Sequence, residues 1–409
     1  MDILRTETAF NREPLLKKPF LLVILINFLL FFSMYLLMPT LPIYALRLGG
    51  SKTAAGLIIG LFSVSAVLVR PWFGQLMDSR GRKTVLVIGT IIFFLSTLAY
   101  RWTEAVWMLL LLRFVQGVGW GAGSTATGTI AADVIPTFRM TEGMGYYGAS
   151  STIAMSFGPA LALQMIQSYS FPILFFTSVG FGLAVLIATV PINYEGVHGV
   201  NSTTLPADKG RSQTDAGKLS MIEKTAIAPS LVLLFAAVTF GGIITFLPSY
   251  AEFRGVSNVG LFYTVYALVL LVSRPFLGRW ADRNGPGPVI ILGTLFLIIS
   301  QIMLMMADNL VWFLVVGFVY ALGFGSVQPV LNAITVSTAS VDRRGAANAT
   351  FFTAWDLGIA LGSVSLGVIS QEFGYLVMWG VNGLAAVTAL ILYFAVLRKR
   401  IRKKFRGKQ

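Results

Sequence analysis

Apolar runs bounded by glycine, proline or charge recur along the chain at approximately 20–46, 54–76, 84–101, 105–132, 143–166, 171–191, 226–250, 258–279, 288–307, 310–335, 346–369 and 374–397. A helix needs ~20 mostly apolar residues to cross a hydrocarbon core ~30 Å thick, so the pattern predicts twelve membrane-spanning helices. The first run is too long for a signal-peptide core and its flank mixes acids with bases, which reads as an uncleaved helix. Between Pro191 and Lys224 the apolar pattern stops, and Gly, Ser, Thr and mixed charge replace it. The expected organisation is a cytoplasmic N-terminal segment (1–19), a six-helix bundle (20–191), a cytoplasmic linker (192–225), a second six-helix bundle (226–397) and a basic tail (398–409).

Composition narrows the function classes. Of 409 residues, 56% are hydrophobic and 12% charged, about half the ~25% charge of a soluble domain, which excludes a water-soluble enzyme. There are no cysteines, hence no disulfide, thiolate metal site or catalytic thiol. The single histidine, His198, falls in the linker and reads as a solvated loop residue. Short loops leave no room for a catalytic or nucleotide-binding domain.

The net charge of +14 would raise a nucleic-acid partner in a soluble protein, but here it is distributed by topology. Arg80, Arg82, Lys83, Arg139, Lys209, Arg211, Lys218, Lys224, Arg279, Arg283, Arg343 and Arg344 fall in loops on one side, with the termini. The opposite loops hold Arg47, Lys52, Arg101 and Arg254. Cationic loops are poorly translocated, so both termini are expected in the cytoplasm, with the chain a multi-pass protein of the plasma membrane. The eight bases from Arg398 to Lys408 read as a topology anchor that also attracts anionic lipid, at ~1 kcal/mol per base near the surface.

The halves repeat at an offset of 204: Arg70-Pro71-Trp72-Phe73-Gly74 returns as Arg274-Pro275-Phe276-Leu277-Gly278, Asp78 as Asp282 and Gly81 as Gly285. Phe114, Gly119 and Gly121 match Phe318, Gly323 and Gly325, and at an offset of 206 Leu41-Pro42-Ile43-Tyr44-Ala45 matches Leu247-Pro248-Ser249-Tyr250-Ala251. Six spans is an even number, so the two copies face the same way about an axis along the membrane normal, a plan found in secondary transporters, with the substrate site at the repeat interface.

Several motifs add a resemblance. Gly74-Gln75-Leu76-Met77-Asp78-Ser79-Arg80-Gly81-Arg82-Lys83 resembles the signature loop of the major facilitator superfamily, and Arg113-Phe114-Val115-Gln116-Gly117-Val118-Gly119 resembles its fourth-helix motif. Met38-Pro39-Thr40-Leu41-Pro42-Ile43-Tyr44 and Gly242-Ile243-Ile244-Thr245-Phe246-Leu247-Pro248 resemble the twelve-span drug:proton antiporter branch. Ala354-Trp355-Asp356-Leu357-Gly358-Ile359-Ala360-Leu361-Gly362 is similar to its efflux members, in particular to exporters of opine metallophores. The resemblance implies an all-α major facilitator fold, twelve transmembrane helices in two six-helix pseudo-repeat bundles. It also implies a gating part for Gly74, Asp78, Gly81, Arg82 and Lys83, with Gly278, Asp282, Arg283 and Gly285 as a weaker second copy in which Pro286-Gly287 replaces the basic pair.

The candidate chemistry follows the cost of charge in lipid. Asp356 lies about ten residues into span eleven, ~15 Å deep at 1.5 Å per residue, and an ionised Asp there costs ~2.5 to 3.5 kcal/mol by insertion scales. It can hold a proton in one state and release it when a cavity opens to water. Arg113, ~12 Å into span four, is expected to face a wet cavity or a partner, and the resemblance ties it to proton coupling. Asn27, Gln116, Gln164, Gln328 and Asn332, with the aromatics Tyr35, Trp120, Phe324, Phe352 and Trp355, are candidates for a small-molecule cavity of few polar groups in an aromatic wall; helix packing is the alternative for each. Gly117, Gly119, Gly121 and Gly123 read as a close helix contact. Gly158-Pro159 resembles the antiporter helix bend, although Ala160-Leu161-Ala162 stand where the family has a glycine pair.

Gly143-Met144-Gly145-Tyr146-Tyr147-Gly148 fits a dinucleotide pattern but follows a helix connection and not a strand, and no phosphate-binding loop is present. No cofactor or metal is implied, so the energy comes from an ion or substrate gradient. Asn201-Ser202-Thr203 is a glycosylation sequon on the cytoplasmic side. The reading is a proton-coupled exporter of a small amphiphile, drug or metallophore-like, working as a monomer by alternating access, its partners a small-molecule substrate, protons and the bilayer, with no nucleic acid. The alternatives are uptake by proton symport and, in a different class, a non-transporting sensor or scaffold.

Overall fold

The computed structural model describes residues 17–136, 139–192, 223–340 and 343–399, and among them every regular element is a helix. In lipid the backbone must satisfy its own hydrogen bonds, which an apolar helix does residue by residue. The first half contains α1 (Lys18–Leu37), α2 (Thr40–Arg47), α3 (Lys52–Arg80), α4 (Arg82–Ala99), α5 (Val106–Val134), α6 (Met140–Ser168) and α7 (Phe171–Thr189). The second contains α8 (Ile227–Phe253), α9 (Gly260–Asn284), α10 (Pro286–Met306), α11 (Leu310–Thr338) and α12 (Arg344–Leu392). Ten stretches among the described residues are long and apolar enough to cross a membrane; one of them, Ala346–Leu397, holds two spans, and Gly260–Ser273 is a shorter apolar helix. These account for the twelve spans. The N-terminal segment, most of the linker and most of the basic tail lie outside the described residues.

Two boundaries differ from the hydrophobic pattern. Span one is two helices, because Pro39 and Pro42 cannot donate backbone hydrogen bonds; the Thr40 hydroxyl donates to the Leu36 carbonyl at 2.8 Å across the break. Spans eleven and twelve are one helix broken at Gly374, whose φ is +81°, a conformation that L side chains rarely adopt. The repeat is visible in the turns: Gly81 (φ +86°) and Gly285 (φ +82°) each reverse the chain between consecutive helices as single residues.

Inside each half, glycines set the helix separation. A methyl added at Gly119 of α5 would lie 2.7 Å from the Gly89 carbonyl oxygen of α4, and one at Gly323 of α11 would lie 2.8 Å from that of Gly293 in α10. These are the same contact in two copies. The Gly119→Leu protein is therefore expected to lose about 1–3 kcal/mol or more to overpacking, read as a lower unfolding midpoint of the purified protein. Gly145→Ala, where the added carbon meets nothing within 4 Å, leaves the midpoint in place.

The halves meet along α3 with α12 and α6 with α9. We call the side carrying Lys17 and both linker ends the linker face, and the opposite side the far face. Toward the far face the contact is tight: a methyl on Gly367 of α12 would lie 3.0 Å from the Lys52 carbonyl oxygen, and one on Gly260 of α9 3.4 Å from the Ala160 carbonyl oxygen. Lys52 closes the edge, its backbone N–H donating to Gln371 Oε1 at 3.0 Å, its ammonium donating to the Ser370 carbonyl at 3.1 Å and lying 4.1 Å from the Tyr375 ring centre. Toward the linker face, Gly74, Gly145, Gly148 and Gly278 on the same helices have open space where a side chain would begin. The bundles are in close contact at the far face, while these glycines meet no neighbour toward the linker face.

Candidate functional site

Where α3 and α12 meet, an ion pair among the described residues joins the two bundles. Arg70 Nη1 lies 2.5 Å from Asp356 Oδ2, with the two side chains 22% and 14% exposed. Gly60 of α3 packs near Ala360 of α12. From that contact Arg70 is ten residues, ~15 Å, along α3, and Asp356 four residues, ~6 Å, along α12. The long guanidinium reaches back between the two helices to a carboxylate that is much closer to the joint. Among the described residues Asp356 is the acid in the interior of a span.

Aromatic residues from both bundles surround this pair. Trp355 precedes Asp356 and lies against Phe240 and Phe324, with ring centres 5.5 and 5.2 Å away; Phe324 stacks on Phe240 at 5.2 Å and on Tyr320 at 5.7 Å. Met155 of the first bundle faces Phe240, Tyr263, Tyr266 and Tyr320 of the second around a small apolar recess. Tyr35 of α1, buried, is within electrostatic reach of Tyr266 and Asp356. On the other flank Phe31 meets Trp120 edge-on at 4.7 Å. Gly158 packs on the Tyr35 side chain, a methyl there meeting its Cβ at 2.8 Å, and Pro159 follows within α6.

Tyr35, Phe324, Trp355 and Asp356 thus lie near one another, whereas Trp120 packs on Phe31, Phe62 and Phe93 inside the first bundle, and other sequence candidates lie elsewhere. Arg113 is fully buried within the first bundle and faces no wet cavity. It donates from Nε to the Ile58 carbonyl at 3.1 Å and from Nη1 to Gln116 Oε1 at 2.6 Å, and its guanidinium lies 4.2 Å over Phe62. Gln116 belongs to the same network, accepting also from the Tyr100 hydroxyl and donating to Thr97 Oγ1, both at 2.7 Å. The Asp356 partner is Arg70, and Arg113 ties α5 to α3. Asn27 is committed to packing, donating to Ser150 and Ser151 of α6 at 2.7 Å each. Gln164 is exposed near the far-face end of α6. Gln328 and Asn332 of α11 are half-buried and make no protein hydrogen bond among the described residues, and Phe352 is 40% exposed on the linker-face side of Asp356.

The gating-loop residues connect within the first bundle. Arg82 pairs with Asp133 of α5 at 2.7 Å, and the Lys83 ammonium donates to the Val190 and Ile192 carbonyls at 2.9 and 3.0 Å, capping the end of α7. Arg283 is exposed, and the side chains of Asp78 and Asp282 lie outside the described set.

Sequence reasoning passed over Arg70, Met155, Phe240 and Tyr266. Arg70 carried a usable signal: it is a guanidinium six residues from the end of the apolar span 54–76, subject to the same argument from the cost of buried charge as Arg113. It was absorbed into the repeated Arg-Pro turn.

Comparison with known proteins agrees with this architecture. The chain is 24% identical over 390 residues to the staphylopine export protein of Staphylococcus aureus, covering 92% of this chain and 95% of that one. It is 24% identical over 354 residues to the quinolone resistance protein NorA of the same species, covering 84% and 87%. A POT family transporter crystallised with 5-aminolevulinic acid superposes with a TM-score of 0.73 over 92% of this chain and 95% of its own, at 14% identity, a likeness of fold. The family model of the Major Facilitator Superfamily matches residues 23–261 and 230–409, which between them take in both bundles, and the chain belongs to that superfamily of membrane transporters.

Proposed function

We propose that the protein exports a small amphiphile from the cytoplasm in exchange for protons, by rocking of the two bundles about the Arg70–Asp356 pair. The carrying observation is the position of that pair: a carboxylate in the interior of a span, held across the bundle interface by a charge from the other half, on the linker-face side of the tight far-face contact. An ion pair made across a moving interface biases one of two arrangements over the other, and protonation of Asp356 removes it. The proton and the bundle arrangement are thereby linked. The names of the two Staphylococcus relatives, an exporter and a resistance protein, support the direction. The excess of Lys and Arg in the loops of the linker face supports a cytoplasmic location for that face and for both termini, in the plasma membrane. Tyr35, Phe324, Trp355, Phe352, Gln328 and Asn332 form the substrate wall in this reading, and Arg113 with Gln116 holds α5 against α3 behind it.

The test is a pH dye in everted vesicles energised by respiration and challenged with cationic, zwitterionic and metal-chelating compounds. Compound-evoked proton release supports exchange; release absent from vesicles of verified content while counterflow shows inward movement overturns it.

One titrating group outside the spans is separated from this cycle. Glu223, at the entry to α8, accepts from Arg343 Nε at 2.9 Å and from the Thr225 backbone and hydroxyl, bonds that hold its carboxyl below the usual carboxylate range. A depressed value means the clamp is fully present above the ordinary glutamate value of ~4.3 and is lost only as the pH falls below it. Glu223→Gln is expected to leave the shape of the transport–pH profile between about pH 5.5 and 8 unchanged, as measured by the same dye.

A further inference from the structure

The Arg70–Asp356 site carries two opposite charges on two different bundles, and that restricts what can occupy it. The two side chains keep partial exposure, 22% and 14%, while Arg113 is fully buried. A compound entering from the linker face therefore meets this pair first among the buried charges described. A compound with one positive charge could reach Asp356 only by leaving the Arg70 guanidinium without a partner in an apolar setting. A compound with one negative charge would strand Asp356 in the same way. Each stranded charge is strongly disfavoured, because the surroundings supply aromatic faces and little water.

A molecule bearing both charges avoids this, since each of its ends replaces the partner it displaces. Arg70 and Asp356 are in direct contact when paired, so the two charges of the incoming molecule must be close together, a few bonds apart, as in an amino-acid head. Beside the pair, Trp355 packs on Phe324 and Phe240 with Tyr266 nearby, all buried, an apolar aromatic setting that suits a hydrophobic body when movement of the bundles uncovers it. We infer that the substrate is a zwitterion with an amino-acid-like head and an apolar body, its ammonium on Asp356, its carboxylate on Arg70 and its body against the aromatic wall. This rests on the reading of the pair as the transport site. It makes Arg70 a specificity residue: Asp356 binds either the substrate's ammonium or a proton, and Arg70 selects compounds that also carry an anionic group.

The test uses a matched fluorescent series: Nε-dansyl-lysine, which has an α-ammonium and a carboxylate; its methyl ester, which keeps only the positive charge; and its Nα-acetyl form, which keeps only the negative one. Binding to the purified full-length protein in nanodiscs is read from dansyl emission. The wild type is expected to bind the zwitterion at least about tenfold more tightly than either relative, the scale of one charged hydrogen bond in a site of low water content. In Arg70→Gln the zwitterion and the ester become equal; in Asp356→Asn the zwitterion and the acetyl form do. Arg70→Lys, which keeps the charge, retains the wild-type order and shows that the Gln result is not misfolding. Wild-type protein that binds the ester as tightly as the zwitterion, that binds none of the three, or that shows one order in all variants overturns the inference. Loss of the charge order with compound-evoked proton release intact would remove the zwitterion assignment and leave the exchange reading standing. An intact charge order without proton-driven movement would remove the exchange reading alone.

Discussion

Asp356→Asn protein, inserted in the membrane at wild-type level, is expected to release no protons from energised vesicles when a transported compound is added, giving the trace of vesicles without the protein. The amide keeps the size and hydrogen-bonding capacity of the carboxylic acid but cannot exchange a proton at any working pH. It also carries no charge to pair with Arg70, so the ionic attraction that joins α3 and α12 below their far-face joint is lost together with the titration, leaving at most a neutral-acceptor hydrogen bond. Movement of substrate down its own gradient can persist, because the aromatic wall and the glycine contacts between the bundles are untouched. A dye response equal to wild type would remove Asp356 from the cycle, since no other described acid stands in a span interior.

The second large effect is on folding. Removing one partner of a buried pair costs ~3–5 kcal/mol, and removing both is often close to neutral. The Arg70–Asp356 pair is shielded but not fully dry, at 22% and 14% exposure, so a coupling energy of about 1–3 kcal/mol is the reasonable expectation. Arg70→Gln should lower the unfolding midpoint of the purified protein, and Arg70→Gln combined with Asp356→Asn should recover most of the loss while remaining inert in exchange. Recovery of stability without recovery of transport separates the pair's structural effect from its role in coupling. Additive losses in the double variant would mean that the two side chains do not interact in the membrane-embedded protein.

How much of this was written in the sequence follows from what one-dimensional periodicity can carry. The spans were legible because lipid demands about twenty apolar residues for each crossing, and the single-residue turns at Gly81 and Gly285 were legible as a repeat because the same backbone conformation requires glycine twice. Asp356 stood out because an acid in an apolar run is costly wherever it points. What the chain does not encode locally is the rotation of each helix about its axis in the assembled bundle. Gln116 and Trp120 are four residues apart on α5, yet Gln116 turns into the Arg113 network while Trp120 meets Phe31 of α1. Asn27 and Tyr35 share α1, and only Tyr35 comes near Asp356. The partnership of Arg70 with Asp356 joins residues from opposite halves and depends on how the halves are set against each other, which no motif records.

In this mechanism the bundles exchange one opening for the other about the Arg70–Asp356 pair. Because the chain has no cysteine, spin labels can be placed without background: at Ser79→Cys and Ala349→Cys across the linker face, and at Gln167→Cys and Ser257→Cys across the far face, all exposed positions. Distances between the labels, measured by pulsed electron resonance in nanodiscs, should fall into two populations in which a long linker-face distance accompanies a short far-face distance and the reverse. Asp356→Asn should shift weight away from the linker-open population, whose cross-bundle ion pair it deletes. Two distances that lengthen and shorten together, or populations identical in wild type and Asp356→Asn, would contradict the account.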